Sequence, residues 1–343
     1  MRFLLAIILA SNLLAEHPCQ HATKLVSDGV NILHDLKKSK SLFEQALLEC
    51  PDFAPAHYNL GIIYLNSGDL VGAESSLVKT VELRGTAVDF TALADVQSKL
   101  DKRADAVNSL NKALEKNAQY VPALLLKAVF EFEAKNYEST KSLLEKAFES
   151  DPKEPAVLSD LGFTYYQLKD FKAAREAFQK LLKLQVDNQD AYYGLALIEL
   201  QNDQFLIALK YLEKLNSSDE VISLIAYCNL RLSRNEKVIE ALAGKPWNGS
   251  ELAIAYYNMA NYAAAIKDLE FQVNTAKSAE NLTLLGLCYE KSANFEKAIE
   301  FYRQAISVNP QYEPSYYNLS RVLEATGKNP EAKQVLENLS KFN

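Results

Sequence analysis

The sequence predicts an all-α protein built as one long array of helical hairpins. Three observations carry this. Only 11 Gly and 10 Pro occur over 343 residues, too few breakers for a sheet protein with its many turns. Apolar residues fall at helical spacing on stretches of about a dozen residues, separated by short turns such as Ser67-Gly68-Asp69, Lys169-Asp170 and Ala293-Asn294. The whole pattern then recurs at a nearly constant interval.

A small residue marks one register in every copy: Ser27, Gly61, Ala94, Ala128, Gly162, Ala196, Ala226, Ala253, Gly286 and Ser320. Twelve residues further on, a second series reads Ser39, Ala73, Ala106, Thr140, Ala174, Ala208, Val238, Ala265, Ala298 and Ala332, at intervals of 34, 33, 34, 34, 34, 30, 27, 33 and 34. Small residues on both helices of a pair let the axes approach, and a large apolar residue just before the first fills the adjoining groove. Leu60, Leu161, Leu285 and Leu319 do so. Lys127 takes that place in its copy, where its stem is expected to be buried and its ammonium to reach solvent.

A 34-residue helix-turn-helix of this kind resembles the tetratricopeptide repeat. The copies that carry the resemblance read Tyr58-Asn59-Leu60-Gly61 to Tyr64 and Ala73; Leu161-Gly162 to Tyr165, Phe171, Ala174 and Phe178; and Leu285-Gly286 to Tyr289, Phe295, Ala298, Ala305 and Pro310. The resemblance implies an α-solenoid superhelix of about ten hairpins over residues 20–343. Between Ala208 and Ala265 the spacing contracts, which reads either as shortened helices or as a hinge or binding segment. Pro330 starts a last helix suited to cap the stack.

Residues 1–15 read as a cleaved secretory signal peptide. Arg2 is the basic start, Phe3 to Leu14 is nearly all apolar, and Ala15 is the expected cleavage residue. Kept as a helix, this run would span roughly 20 Å, short of a ~30 Å hydrocarbon core, so no stable membrane span is expected. Cys19 follows His17-Pro18 and does not fit a lipoprotein signal. The chain is expected to be periplasmic or secreted.

Composition and motifs then restrict the chemistry. With 37 Lys+Arg against 44 Asp+Glu, a net charge of -7, the chain lacks the basic footprint of nucleic-acid binding. All four histidines precede residue 58, leaving little from which to build a zinc hydrolase or a Ser-His triad. Phosphate-binding glycine loops and CxxC, HExxH and GxSxG motifs are absent. No enzyme activity and no cofactor are expected. The run Glu16 to His21 contains metal-ligand residue types, but it lies at a terminus restricted by Pro18, and no metal site is assigned. Cys228 and Cys288 share a register two copies apart, too far for a disulfide, and read as core residues. Cys19 stands just before the first helix and Cys50 at the end of the second. Antiparallel packing brings those ends together, so a disulfide between them is expected.

What remains is a binding surface. The resemblance implies that the first helix of each hairpin lines a concave face, with its second, fifth, ninth, twelfth and thirteenth positions pointing into the groove. Carried over, these are Tyr58, Ile62 and Leu65; Leu125, Val129 and Phe132; Phe163 and Tyr166; Tyr193, Leu197 and Leu200; Tyr227; Trp247 and Tyr257; and Tyr317 with Arg321. Tyr64, Tyr165, Phe171, Phe205, Tyr262, Phe295 and Tyr302 match the family's packing positions instead. Asn59 and Asn318 match the asparagine of the family's carboxylate clamp, but its Lys and Arg partners are missing. The expected function is an exported scaffold or adaptor that holds a protein or peptide segment, within a cell-envelope assembly or secretion complex. A carbohydrate-binding scaffold of polysaccharide export is the alternative.

Overall fold

The structure is a computed structural model that describes residues 19–245 and 249–340. The expected signal segment and Trp247 lie outside the described residues. The chain divides into two compact units, Met1–Val186 and Asp187–Asn343, and the described residues contain helices and no strand.

The first unit is a run of five helical hairpins: α1 (Gln20–Asn31) and α2 (Leu36–Glu49), α3 (Ala54–Ser67) and α4 (Leu70–Leu83), α5 (Ala87–Lys99) and α6 (Arg103–Lys116), α7 (Val121–Glu133) and α8 (Tyr137–Ser150), α9 (Pro155–Gln167) and α10 (Phe171–Leu184). The second unit has five more: α11 (Gln189–Gln201) and α12 (Phe205–Leu212), α13 (Asp219–Arg231) and α14 (Asn235–Leu242), α15 (Glu251–Asn258) and α16 (Tyr262–Thr275), α17 (Ala279–Lys291) and α18 (Phe295–Val308), α19 (Glu313–Ala325) and α20 (Asn329–Leu339). Within each unit a helix packs on its chain neighbours, and the first helices α3 and α5, α5 and α7, α13 and α15, and α17 and α19 also touch one another, the nearest-neighbour order of an α-solenoid.

The second series of small residues is the fourth residue of every second helix, and from Ser39 to Ala332 it is at most 1% exposed. Four residues later comes a large side chain that fills the space those residues leave: Phe43, Leu77, Leu110, Leu144, Phe178, Leu212, Leu242, Leu269 and Tyr302 are all fully buried. The first series explains how it fits. A methyl added at Gly162 would lie 2.4 Å from the Phe178 ring, and one at Gly286 would lie 2.5 Å from Tyr302. In the first hairpin the close approach falls on Gly29, whose added methyl would meet Phe43 at 2.4 Å, and not on the half-buried Ser27. The connection from α1 to α2 is longer than the other turns, which moves the contact two residues along.

Between helices, the turn follows a rule that glycine only partly reveals. A single residue in the left-handed region precedes the second helix: Gly68 and Gly327, but also Asp101, Lys135, Lys169, Asp203, Ser233, Ala260 and Ala293. Side chains strain such a backbone by roughly 1 kcal/mol or more, and the turn retains it because the next residue often caps the helix. Asp69, Asp170, Asn261 and Asn294 each accept a hydrogen bond from a backbone N–H three residues on.

At the N-terminal end, Cys19 and Cys50 are joined by a disulfide with a Cα–Cα distance of 5.6 Å. It closes the open end of the α1–α2 hairpin, where the His21 ring nitrogen also bonds the Glu49 carboxylate at 2.7 Å. Cys228 and Cys288 are free and buried, and burial pushes their thiols up to about 11 and about 12. Lys127 is half-buried and its ammonium donates to Asn111 Oδ1 at 2.7 Å.

Candidate interaction site

The first-helix residues singled out above fall into three environments. Tyr58 and Leu125 are core residues, 2% and 4% exposed, which corrects their assignment to a binding face. Both occupy the fifth position of a first helix, and this position leans onto the next hairpin. Tyr58 packs with Ala92, Leu93 and Val96 of α5, and Leu125 with Val157 and Leu161 of α9. Burial holds the Tyr58 hydroxyl well above the ordinary tyrosine range. Tyr193 occupies the same position of α11 and is half-buried, with its hydroxyl donating to Glu220 at the start of α13 at 2.5 Å. Tyr317 of α19 has no following first helix among the described residues and is 55% exposed.

The second group is the residue four places after the first small-residue series, the twelfth position of α7 and α9 and the seventh of the shortened α15. Phe132, Tyr166 and Tyr257 are half-buried, and each packs against the aromatic residue that opens the second helix of its own hairpin. Ring centroids are 5.3 Å apart for Phe132 and Tyr137, 5.5 Å for Tyr166 and Phe171, and 5.5 Å for Tyr257 and Tyr262. In these five-residue aromatic steps across the turn the two rings meet edge-on or tilted, an arrangement aromatic pairs favour. Where Glu290 replaces the first ring, its partner Phe295 is left 38% exposed, so Phe295 does not fill a buried packing position.

A third group is apolar and half-buried: Ile62 and Leu65 on α3, Val129 on α7, Phe163 on α9, and Leu197 and Leu200 on α11. Phe163 also packs edge-on against Phe178 at 5.0 Å. Tyr227 on α13 is 36% exposed and lies 5.8 Å from the Arg231 guanidinium, which also covers Phe205 at 4.9 Å. Arg321 on α19 donates to Glu290 Oε2 at 3.0 Å and to Asn318 at 3.0 Å. Tyr302 donates to the same Glu290 oxygen at 2.9 Å. Burial, and then the Glu290 carboxylate, keep the Tyr302 hydroxyl protonated far above neutral pH. Arg321 is therefore already held by groups of its own chain.

No group of three or more His, Cys, Asp or Glu residues is placed to hold a metal among the described residues. No described helix is long and apolar enough to cross a membrane. The sequence reading missed an open-sided cavity of about 330 Å³ lined by α8, α9 and α10, on a side of α9 away from Phe163 and Tyr166.

Models of the tetratricopeptide repeat match three parts of the chain, residues 42–75, 131–198 and 279–312. The chain is a tetratricopeptide-repeat protein. Its matched segments include α9 and α17, whose glycines make the close helix contacts described above, and α3, where a methyl added at Gly61 would lie 2.7 Å from Leu77. A tetratricopeptide repeat-containing protein of Methanocaldococcus jannaschii is 26% identical over 303 residues, covering 81% of this chain and 50% of that one. The CTR9 homolog of Arabidopsis thaliana is 22% identical, covering 64% of this chain and 25% of that one. The chain thus spans a quarter to a half of the length of these two relatives. Among solved structures, a tetratricopeptide repeat protein of Parabacteroides merdae is similar at a TM-score of 0.43 and 20% identity, covering 79% of this chain and 98% of that one. Tetratricopeptide-repeat proteins bind protein partners.

Proposed function

We propose that this tetratricopeptide-repeat protein is a non-catalytic exported scaffold that holds an extended or helical segment of a partner protein on its first-helix faces. The observation that carries the reading is the recurrence of half-exposed aromatic and aliphatic side chains at matching positions of α3, α7 and α9 and of α11, α13 and α15. They are Ile62, Leu65, Val129, Phe132, Phe163 and Tyr166 in one unit, and Tyr193, Leu197, Leu200, Tyr227 and Tyr257 in the other. Rigid aromatic anchors of this type carry most of the energy in protein interfaces. Export is supported by the Cys19–Cys50 disulfide, since such bonds persist in oxidising compartments, and by the apolar run from Phe3 to Leu14 in the sequence.

The test is site-specific photo-crosslinking in the native cell. A photoreactive side chain at Tyr166 or Tyr227 is expected to capture a protein, and one at the solvent-facing Val71 of α4 is not. Equal capture at all three positions would refute the face assignment. Capture of a glycan, with no protein, at Tyr166 or Tyr227 would favour the carbohydrate-binding alternative instead.

A further inference from the structure

The cavity among α8, α9 and α10 belongs to no part of the first-helix reading. Leu158, Leu161 and Tyr165 line its α9 wall at a spacing of three and then four residues, one stripe of a helix. Phe163 and Tyr166 fall on a different stripe, so the cavity and the first-helix face are separate surfaces.

Charge and shape in the cavity point to one kind of occupant. Three exposed carboxylates, Glu145, Glu149 and Glu176, surround it against a single ammonium, Lys180. The Lys180 nitrogen lies 5.4 Å from the centre of the Phe148 ring, a cation–π distance. The molecule thus already places one cation of its own on this ring. Glu145 is fixed in place because the Tyr165 hydroxyl donates to it at 3.1 Å, and burial pushes that hydroxyl up to about 12, so it remains a donor at neutral pH. The floor between these groups is apolar, formed by buried Leu158 and Ala177.

An arginine suits this arrangement better than the resident lysine. Its planar guanidinium stacks on an aromatic face, offers paired donors to carboxylates, and loses less hydration on burial than an ammonium does. Its three-carbon stem would cover the apolar floor. We propose that this cavity is a recognition pocket for an arginine side chain of a partner protein, with Lys180 as its internal competitor.

The test uses the whole folded chain with ¹³C-labelled Leu and Ala methyl groups, titrated with N-acetyl-arginine methylamide. The isosteric but neutral N-acetyl-citrulline methylamide serves as control. The arginine probe is expected to shift the Leu158 and Ala177 methyl signals saturably, and the citrulline probe to leave them in place. Lys180→Ala should tighten binding by about threefold, by vacating the Phe148 ring. The exposed triple change Glu145→Gln, Glu149→Gln and Glu176→Gln should weaken it by about tenfold. Equal shifts with citrulline, no saturable shift in the parent chain, or a Lys180→Ala protein that binds no more tightly would each overturn the proposal. Because Lys180 is exposed, loss of folding is not expected to obscure that result.

Discussion

The α9–α10 hairpin and the stretch from α13 to α16 solve the same packing problem with different materials. In α9–α10, helices of 13 and 14 residues are stapled by Phe178 lying against Gly162, and buried Leu181 closes the last turn. In the other stretch, α14 stops after 8 residues at Leu242, and α15 has only 8 residues, starting at Glu251. The eleventh residue of the longer second helices is Ala46, Thr80, Ala113, Ala147, Leu181 or Ala305, all fully buried; in α16 it is Gln272, 1% exposed. The Gln272 amide donates to the Gly249 carbonyl at 2.9 Å and to Asp268 Oδ2 at 2.7 Å, and its oxygen accepts from Asn281 at 3.0 Å. Where a turn of helix is missing, a polar latch stands in for an apolar contact. In a nearest-neighbour array each such exchange changes the stability of its own link.

The largest effect separates the two regions directly. Phe178→Ala is expected to destabilise by about 4 kcal/mol, because the ring is clamped on Gly162 and the surrounding helices cannot collapse into the space. Leu242→Ala, at the matching position of the 8-residue α14, should cost about 2 kcal/mol, since a helix end relaxes more easily. Hydrogen exchange of α9–α10 and α13–α14 amides reads each loss locally. Equal losses would mean that the short helices are as tightly packed as the long ones.

Next in size is the disulfide, which closes a hairpin that differs from α9–α10 in its longer turn. The bond spans 31 residues, and closing such a loop is worth roughly 3.5 kcal/mol in the chain-entropy model. Cys19→Ser with Cys50→Ser should therefore let α1 and α2 exchange well before α9 and α10 do. If those two hairpins keep the same relative protection after the change, the bond is not what holds the first one.

The repeat itself was plain in the sequence because its determinants are small residues at fixed intervals. The second series, from Ser39 to Ala332, is buried throughout, and even the shortened intervals coincide with the 8-residue helices α12, α14 and α15. The binding face was less legible. A fifth-position side chain is buried or exposed according to what the next hairpin supplies, so Tyr58 and Tyr317 look alike in sequence and have opposite environments. The aromatic steps such as Tyr166 to Phe171 have a visible five-residue spacing, yet that spacing belongs neither to a helix nor to a strand and only acquires meaning across a turn. Gln272 could not be identified as a latch because its main partner is a backbone carbonyl, that of Gly249.

Gln272→Leu tests the latch by giving α16 the residue that α10 carries. It fills similar volume but leaves the Gly249 carbonyl and the Asn281 amide without their partner, and should cost about 1 to 2 kcal/mol. Exchange at Ile254, whose N–H donates to the Ser250 carbonyl in the first turn of α15, should rise most. A variant more stable than the parent would show that the amide is a burden and that an apolar contact was available here as well.

The smallest effect concerns Asp268, which the latch also engages and which has no counterpart in α10, where Ala177 stands at the same position. Burial raises the Asp268 carboxyl above its ordinary 3.8, and the hydrogen bond from Gln272 only partly opposes this. The folded chain therefore holds this proton more tightly than the unfolded chain. The resulting stabilisation is complete below the ordinary value and is lost as pH rises through the folded one. Asp268→Asn keeps an oxygen for the Gln272 amide and cannot ionise. It should match the parent near about pH 3 and exceed it at neutral pH, by less than the Gln272 change because solvent screens a half-exposed carboxylate. Urea midpoints of the two proteins across this range provide the measurement. If the Asn variant is instead weaker at neutral pH, the ionised carboxylate strengthens its bond from Gln272 by more than its burial costs, and the latch depends on that charge.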